Sequence, residues 1–448
     1  MTIEDTTGAF RKKSEQPTAP AWTDVTGGLV KGMAIKGAAL LESVRLARPR
    51  MSLRLPKGIA AWAESELGEG LHRGWRGASS HLDASNASLV ACIREETEAH
   101  NRNNVTRTAA YMAMYKAYPE LHWALLAHVV SRNGGWNMTD LQGAWLPKLL
   151  THRDRATLFG MLESCNALIF RDAYPQLRLY GESRRTGRSR FSLLPAFGVS
   201  AFMRPFWERF WIERDAAALT VALIVNEQQV IERRVVQDPA YKDTVLGSTA
   251  FKGMRPLQLQ QVIVPLGDVR VAETGLRNSI ARHAGEVGSE EERADTVLAG
   301  RVLESFTNVD ERIAFGKSLY AMLFAYPKVL GGALAYAETV SHTGSRADYW
   351  PERFTAQNDP VGLAGESGGE TGRAWYSPKL EDAWPDRPLG SVCDGDWLVD
   401  LHVLKHFRSL RAPIVFVMTH EHAFGQRKLQ AASLALESLK QRASRSPT

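Results

Sequence analysis

Residues 103–141 read NNVTRTAAYMAMYKAYPELHWALLAHVVSRNGGWNMTDL. Apolar side chains recur at helical spacing on both sides of Pro119, which predicts two helices, 104–118 and 119–132. Pro119 suits the first turn of the second helix, where no amide hydrogen is needed, and Glu120 complements the positive end of the helix dipole. Gly134 and Gly135 then predict a stop, and Thr139 with Gln142 a capping box opening a further helix at 140–150. Between them lies a short loop, pinned at both ends, that carries Arg132, Asn133, Trp136 and Asn137.

The same periodicity predicts helices at 87–101, 155–172, 200–236, 270–283, 290–304, 309–326, 328–342, 397–410 and 427–443. Only 261–266 and 414–418 read as short β-branched strands. The expected fold class is mainly α: a multi-helical globular body of αα-hairpins with at most a few short strands. A flexible basic arm is expected over 1–85 and a polar tail over 436–448. The body then spans 86–435, with a sub-boundary near 240–270 and a flexible connector at 361–373. Asn104-Val105 through Tyr118-Pro119 and Asn308-Val309 through Tyr326-Pro327 share a layout, which an old duplication or two unrelated hairpins would both produce.

A chain that is 44% hydrophobic and 23% charged is not wholly disordered. Its net charge is +6, and residues 1–60 alone hold ten Lys/Arg against five Asp/Glu, or +5, which leaves +1 for the other 388 residues. The basic pI thus belongs to the arm, and a nucleic-acid-binding body is not indicated. A weakly amphipathic basic stretch at 28–50 fits either peripheral contact with an anionic membrane or docking on the body. Cys92, Cys165 and Cys393 lie far apart without a CxxC, which fits a reducing compartment better than a disulfide framework or zinc ribbon. No apolar leader is readable at the N-terminus. The run Ala216–Val225, ten residues between Asp215 and Glu227, reads as a buried helix, since a bilayer span needs about 20. A cytoplasmic location is expected.

Several groups could carry chemistry. Arg132 can clamp a carboxylate or phosphate, Asn133 and Asn137 offer donors and acceptors, and Trp136 can stack on a ring. The segment His342-Thr343-Gly344-Ser345-Arg346-Ala347-Asp348-Tyr349-Trp350 has the parts of an anion pocket without the spacing of a nucleotide P-loop. Glu227, interrupting an apolar helix, is a buried-carboxylate base. A structural joint, a locked turn and an emerging helix end are the plain alternatives for these three. His122 and His128, six residues apart, point about 120° from each other on a helix and cannot share one ion. His402 and His406 share a face but lack the glutamate of HExxH, and His420-Glu421-His422 has no second cluster, so no metal or other cofactor is assigned. The arginines at 178, 184, 185, 188 and 190 could meet an anion, whereas Phe206-Trp207-Glu208-Arg209-Phe210-Trp211 reads as a buried helix face.

Taken together, the 103–141 stretch, HTGSRADYW at 342–350 and HAFGQRKLQAA at 422–432 resemble the YppC-like bacterial family, a domain of unknown function known mostly from Gram-positive rods. The resemblance covers roughly 90–435 and implies one coherent, bacterial, cytoplasmic unit with no activity to carry over. Two function classes follow. One is a hydrolase or transferase acting on an anionic or glycan-like small substrate, with Arg132, Asn133, Trp136, Asn137 and Arg346 binding and Glu227, His342 and Asp348 as acid/base groups. The other is a non-catalytic helical scaffold that uses its basic arm at a membrane surface or a partner.

Overall fold

The computed structural model describes residues 35–72, 83–242, 260–270, 296–358, 374–390 and 395–445. In chain order the helices are α1 (35–46), α2 (Ile59–His72), α3 (Ala84–His100), α4 (Asn104–Ala117), α5 (His122–Asp140), α6 (Leu146–Leu149), α7 (His152–Thr186), α8 (Met203–Glu213) and α9 (Ala216–Ile231). An antiparallel pair, β1 (Gln261–Arg270) and β2 (Thr296–Val302), precedes α10 (Val309–Ala325) and α11 (Pro327–Thr339). A two-residue parallel pair, β3 (Phe354–Thr355) and β4 (Trp375–Tyr376), a single turn α12 (Leu380–Ala383) and the long α13 (Thr419–Arg445) complete the body. The fold is mainly α, as its periodicity predicts.

Helix α9 is the axis of the core. Asp215 caps it by accepting from the amides of Ala217 and Ala218, and Val221–Val225 are sealed from solvent on every side. Helices α5, α7, α8 and α10 pack around it. That cap also splits the expected helix 200–236: Arg214 takes a left-handed φ of 58°, ending α8 before Asp215 restarts the chain. On α8, Phe206, Trp207 and Phe210 are buried as the sequence suggests. Among the described residues no single helix is long and apolar enough to cross a membrane, and the bent pair α10–α11 is largely core.

Six expectations need correction. Helix α5 does not stop at Gly134-Gly135 but runs through to Asp140, and neither glycine has the positive φ of a C-terminal cap. A Cβ on Gly135 would stand 2.5 Å from Asn104 Oδ1 and 2.6 Å from His342 Nε2, so the missing side chain is room for two neighbours. Pro119 lies in the turn before α5, with Leu121 N–H closing on the Tyr118 carbonyl, and the 140–150 helix shrinks to α6. Residues 296–302 form β2, since β-branched Thr296, Val297 and Val302 pair with β1 in register from Gln261↔Val302 to Leu266↔Val297. The strand expected at 414–418 contributes one bridge, Val417 to Ala299, and residues 402–408 form only a 3-10 turn.

The arm is shorter than expected. Leu46, Ile59, Ala63 and Leu67 join the main core, so α1 and α2 are docked parts of the body. At the other end α13 continues past residue 435 to Arg445. The helix expected at 270–283, the start of that at 290–304, most of the sub-boundary, the 361–373 connector and residues 28–34 lie outside the described residues.

The two glycines of α5 make opposite predictions. Alanine is favoured over glycine in a helix by about 1 kcal/mol, and at Gly134, where an added Cβ meets Asn166 at an ordinary 3.4 Å, Gly134→Ala should keep most of that gain. Gly135→Ala should instead lose about 2 kcal/mol, because the clash displaces two buried hydrogen-bonding side chains. Urea denaturation of the two variants checks both signs.

Candidate functional site

The last turns of α5 face the 342–350 segment across a closed polar interface. Asn133, Trp136, Asn137 and Asp140 fall at i, i+3, i+4 and i+7, one face of the helix. Arg346, 3% exposed, fills the centre of this face. Its Nε donates to both oxygens of Asp140 at 2.8 Å, and Nη2 reaches Asp140 at 2.6 Å and Asn137 Oδ1 at 3.2 Å. Nη1 donates to Tyr349 Oη at 2.5 Å and points at His422 Nε2, 3.5 Å away.

These donors fix a tautomer. An arginine cannot accept, so His422 Nε2 serves as acceptor, also for the Tyr349 hydroxyl at 3.0 Å, and Nδ1–H donates to Gln261 Oε1 at 2.8 Å. Burial pushes the His422 pKa well below its usual range, in keeping with that neutral form. Asp348 is the second anchor. Burial opposes its ionisation, but the adjacent His342 ring and hydrogen bonds from the hydroxyl and amide of Thr343 hold its carboxyl below the usual range. Trp136 Nε1 adds a contact at 3.4 Å. His342 Nε2 sits 2.8 Å from Asn104 Oδ1, whose own amide donates to the Ser131 carbonyl, and its Nδ1 faces Asp348 at 3.5 Å.

Arg132 and Asn133 serve neighbouring elements. Arg132 donates to the Val340 carbonyl at 2.7 Å and lies 4.6 Å above the Tyr336 ring. Asn133 completes the inner edge of β1, donating to the Gln261 carbonyl at 2.9 Å and accepting from Ile263 N–H at 3.1 Å. The structure thus brings together seven of the eight residues singled out in the sequence. Glu227 stands apart: its Oε2 accepts from Trp123 Nε1 at 3.0 Å, and Trp123 precedes Gly135 by twelve residues, about 18 Å along α5. Asn104, Asp140 and Gln261 join the network without having been singled out in the sequence, whereas Tyr349 and His422 come from the 342–350 and 420–422 segments named there. The histidines of HWALLAH are held separately, His122 by Tyr320 and His128 by the Thr108 carbonyl, and His406 pairs with Asp310.

Residues 99–424 match the model of a family described as a protein of unknown function, DUF2515. The chain belongs to the DUF2515 family. It is also 37% identical over 260 residues to the uncharacterized protein YppC of Bacillus subtilis, an alignment covering 58% of this chain and 72% of that protein. No solved structure matches the chain significantly. The DUF2515 span contains every member of the Arg346 network and leaves α1, α2 and α3 up to Glu98 outside.

The open site of the DUF2515 body lies elsewhere. A cleft of about 1470 Å³ runs between α3, α7 and the 192–201 segment, with residues 386–389 and 395–396 on its other side. Arg94, Arg102, Arg171 and Arg204 line it, as do Glu98, Asp386 and Asp396, and none of the eight sequence-derived residues does. Most of the acid is already engaged. Asp396 accepts from Ser200 Oγ and the amides of Ala201 and Leu398, and Asp386 pairs with Arg102 at 3.0 Å. Arg171, exposed on α7, makes no hydrogen bond or ion pair among the described residues. The arginines expected in a loop after 178 are mostly on α7 and taken: Arg178 by Glu96, Arg184 by Glu120 and Arg185 by Glu182.

Two buried carboxyls have raised pKa values. Burial raises Glu227 to about 8 and Asp172 to about 7, against hydrogen bonds from Gln228 and Trp123 to the first and from Asn226 and Gln176 to the second. A carboxyl with a raised native pKa binds more protons folded than unfolded. Its contribution is therefore full at low pH and is lost as pH rises through the folded value. Glu227→Gln should match the parent near pH 5 and exceed it near pH 8 by on the order of 1–3 kcal/mol, with a shallower fall between them. Chemical denaturation at the two pH values measures this, and a variant less stable at both would contradict it.

Proposed function

We propose that this DUF2515 protein binds an anionic small molecule in the arginine-lined cleft. The observation that carries the reading is Arg171, a cation left without a partner among the described residues, in a cleft where Arg94 and Arg204 are within the same wall and most acids are spent. Arg94 is held by the Ala196 carbonyl at 2.5 Å, which fixes its position while leaving its charge uncompensated by that bond. A volume of about 1470 Å³ exceeds the roughly 300–1,000 Å³ of ordinary ligand pockets, which favours an extended molecule with more than one anionic group.

The glycan half of the expectation has less support, because Phe197 is the lone aromatic among the lining residues and stacking platforms are what a sugar face needs. Acid/base work by Glu227, His342 and Asp348 is also disfavoured. All three are engaged in hydrogen bonds away from the cleft, so the proposal stops at binding.

Thermal denaturation against phosphate, pyrophosphate, nucleotides and polyphosphates tests the proposal. A ligand at a hundred times its Kd should stabilise the fold by about 2.7 kcal/mol. Arg171→Glu should weaken binding of the best ligand at least about tenfold while leaving the unliganded melting temperature unchanged. If no anion shifts the melting temperature, or if Arg171→Glu binds as the parent does, the cleft is not an anion site.

A further inference from the structure

Helix α1 is tied to the 413–417 segment by the Ser43 side chain. Ser43, fully buried, accepts hydrogen bonds from the amides of Phe416 and Val417 at 3.0 Å each and donates to the Ala39 carbonyl. Leu40, Leu41 and Val44 therefore lie within a turn of the tie, and Ile414 and Val415 stand immediately before it in the partner segment. All five project into solvent, Leu41 being 60% and Ile414 73% exposed. Met51, also exposed, is brought alongside: its amide donates to the Ala325 carbonyl, and the next residue, Tyr326, bonds the Pro413 carbonyl. Two segments remote in sequence thus present one patch of aliphatic side chains that no described part of the chain covers.

The two segments that form this patch are predominantly basic. Residues 35–54 and 409–415 contain Lys36, Arg45, Arg48, Arg50, Arg54 and Arg411 against a single acid, Glu42, which is half-buried. We infer that this face docks on an anionic lipid surface, with Leu41 and Ile414 entering the headgroup boundary and the basic ring meeting the phosphates. Protruding aliphatic side chains beside basic residues are the makeup of a face that enters the headgroup boundary of an anionic membrane. Lys and Arg side chains near an anionic membrane each add to the attraction, which falls off within a Debye length. The patch lies on α1 and beside Phe416, far in sequence from the arginine cleft, and the inference stands independently of the binding reading.

Co-sedimentation of the full chain with vesicles of phosphatidylcholine alone and of phosphatidylcholine with phosphatidylglycerol provides the test. Binding is expected only to the vesicles containing phosphatidylglycerol and should fall as salt is raised from about 0.1 to about 0.5 M. L41E/I414E and, separately, R45E/R48E should each lose binding by about tenfold or more, with helical content and melting temperature as in the parent. Three results would overturn the inference: no sedimentation with either vesicle, equal sedimentation with both, or parent-like binding by both variants. A chain that is dimeric in solution, ignores vesicles and becomes monomeric as L41E/I414E would show the face to be a self-interface instead.

Discussion

The contact on which the polar half of this molecule depends is the buried ion pair between Arg346 and Asp140. A guanidinium taken out of water is tolerated only if its donors find acceptors, and here Asp140, Asn137 and Tyr349 supply them. Because Arg346 is planar and forked, satisfying it fixes the end of α5, the 342–350 turn and His422 on α13 relative to one another. Asn133 carries the same order to the edge of β1, and the Asn104–His342 contact carries it to α4. A buried pair of this kind need not add stability over apolar side chains of the same volume. What it supplies is a single arrangement, since any shift of one element leaves charges unpaired in the interior.

Much of this was legible in the sequence and some was hidden for identifiable reasons. The mainly helical body, the buried α9 and the FWERFW face followed from apolar periodicity, the strongest signal a sequence holds. The family followed from three stretches, of which the first contains α4 and α5 whole. The chief error was local. Gly134-Gly135 has the composition of a helix end, but its absent side chains make room for Asn104 and His342, a tertiary demand that no single segment displays. Once α5 was cut there, the stripe Asn133, Trp136, Asn137, Asp140 looked like a loop, and its helical spacing, which would have added Asp140, went unused. The strand β2 was lost similarly, because TVLAGRV satisfies either period until β1 lies beside it.

The candidate site shows the opposite imbalance. Residues picked for chemical capability proved to be those the fold uses internally: Arg132, Asn133, Trp136, Asn137, His342, Arg346 and Asp348 mostly satisfy one another and adjacent backbone. The arginines of the cleft carry no local signature, because Arg94, Arg171 and Arg204 come from three helices and line one cleft only in the folded chain. Pro175 marks the same region. It stands inside α7 where its ring nitrogen cannot donate to the Arg171 carbonyl, so that helix wall lacks one backbone hydrogen bond beside Arg171. Rigid network and open cleft are thus separate parts of one DUF2515 body, the first holding α5 and α13 and the second formed along α3 and α7.

A double-mutant cycle on Arg346→Met and Asp140→Asn, read by urea denaturation, tests the central claim most directly. Each single change leaves a buried group without its partner and should cost about 3–5 kcal/mol, whereas the double variant should cost little more than either, for a coupling of at least about 2 kcal/mol. Single costs under about 1 kcal/mol, or costs that simply add, would contradict the view that this pair organises the interface.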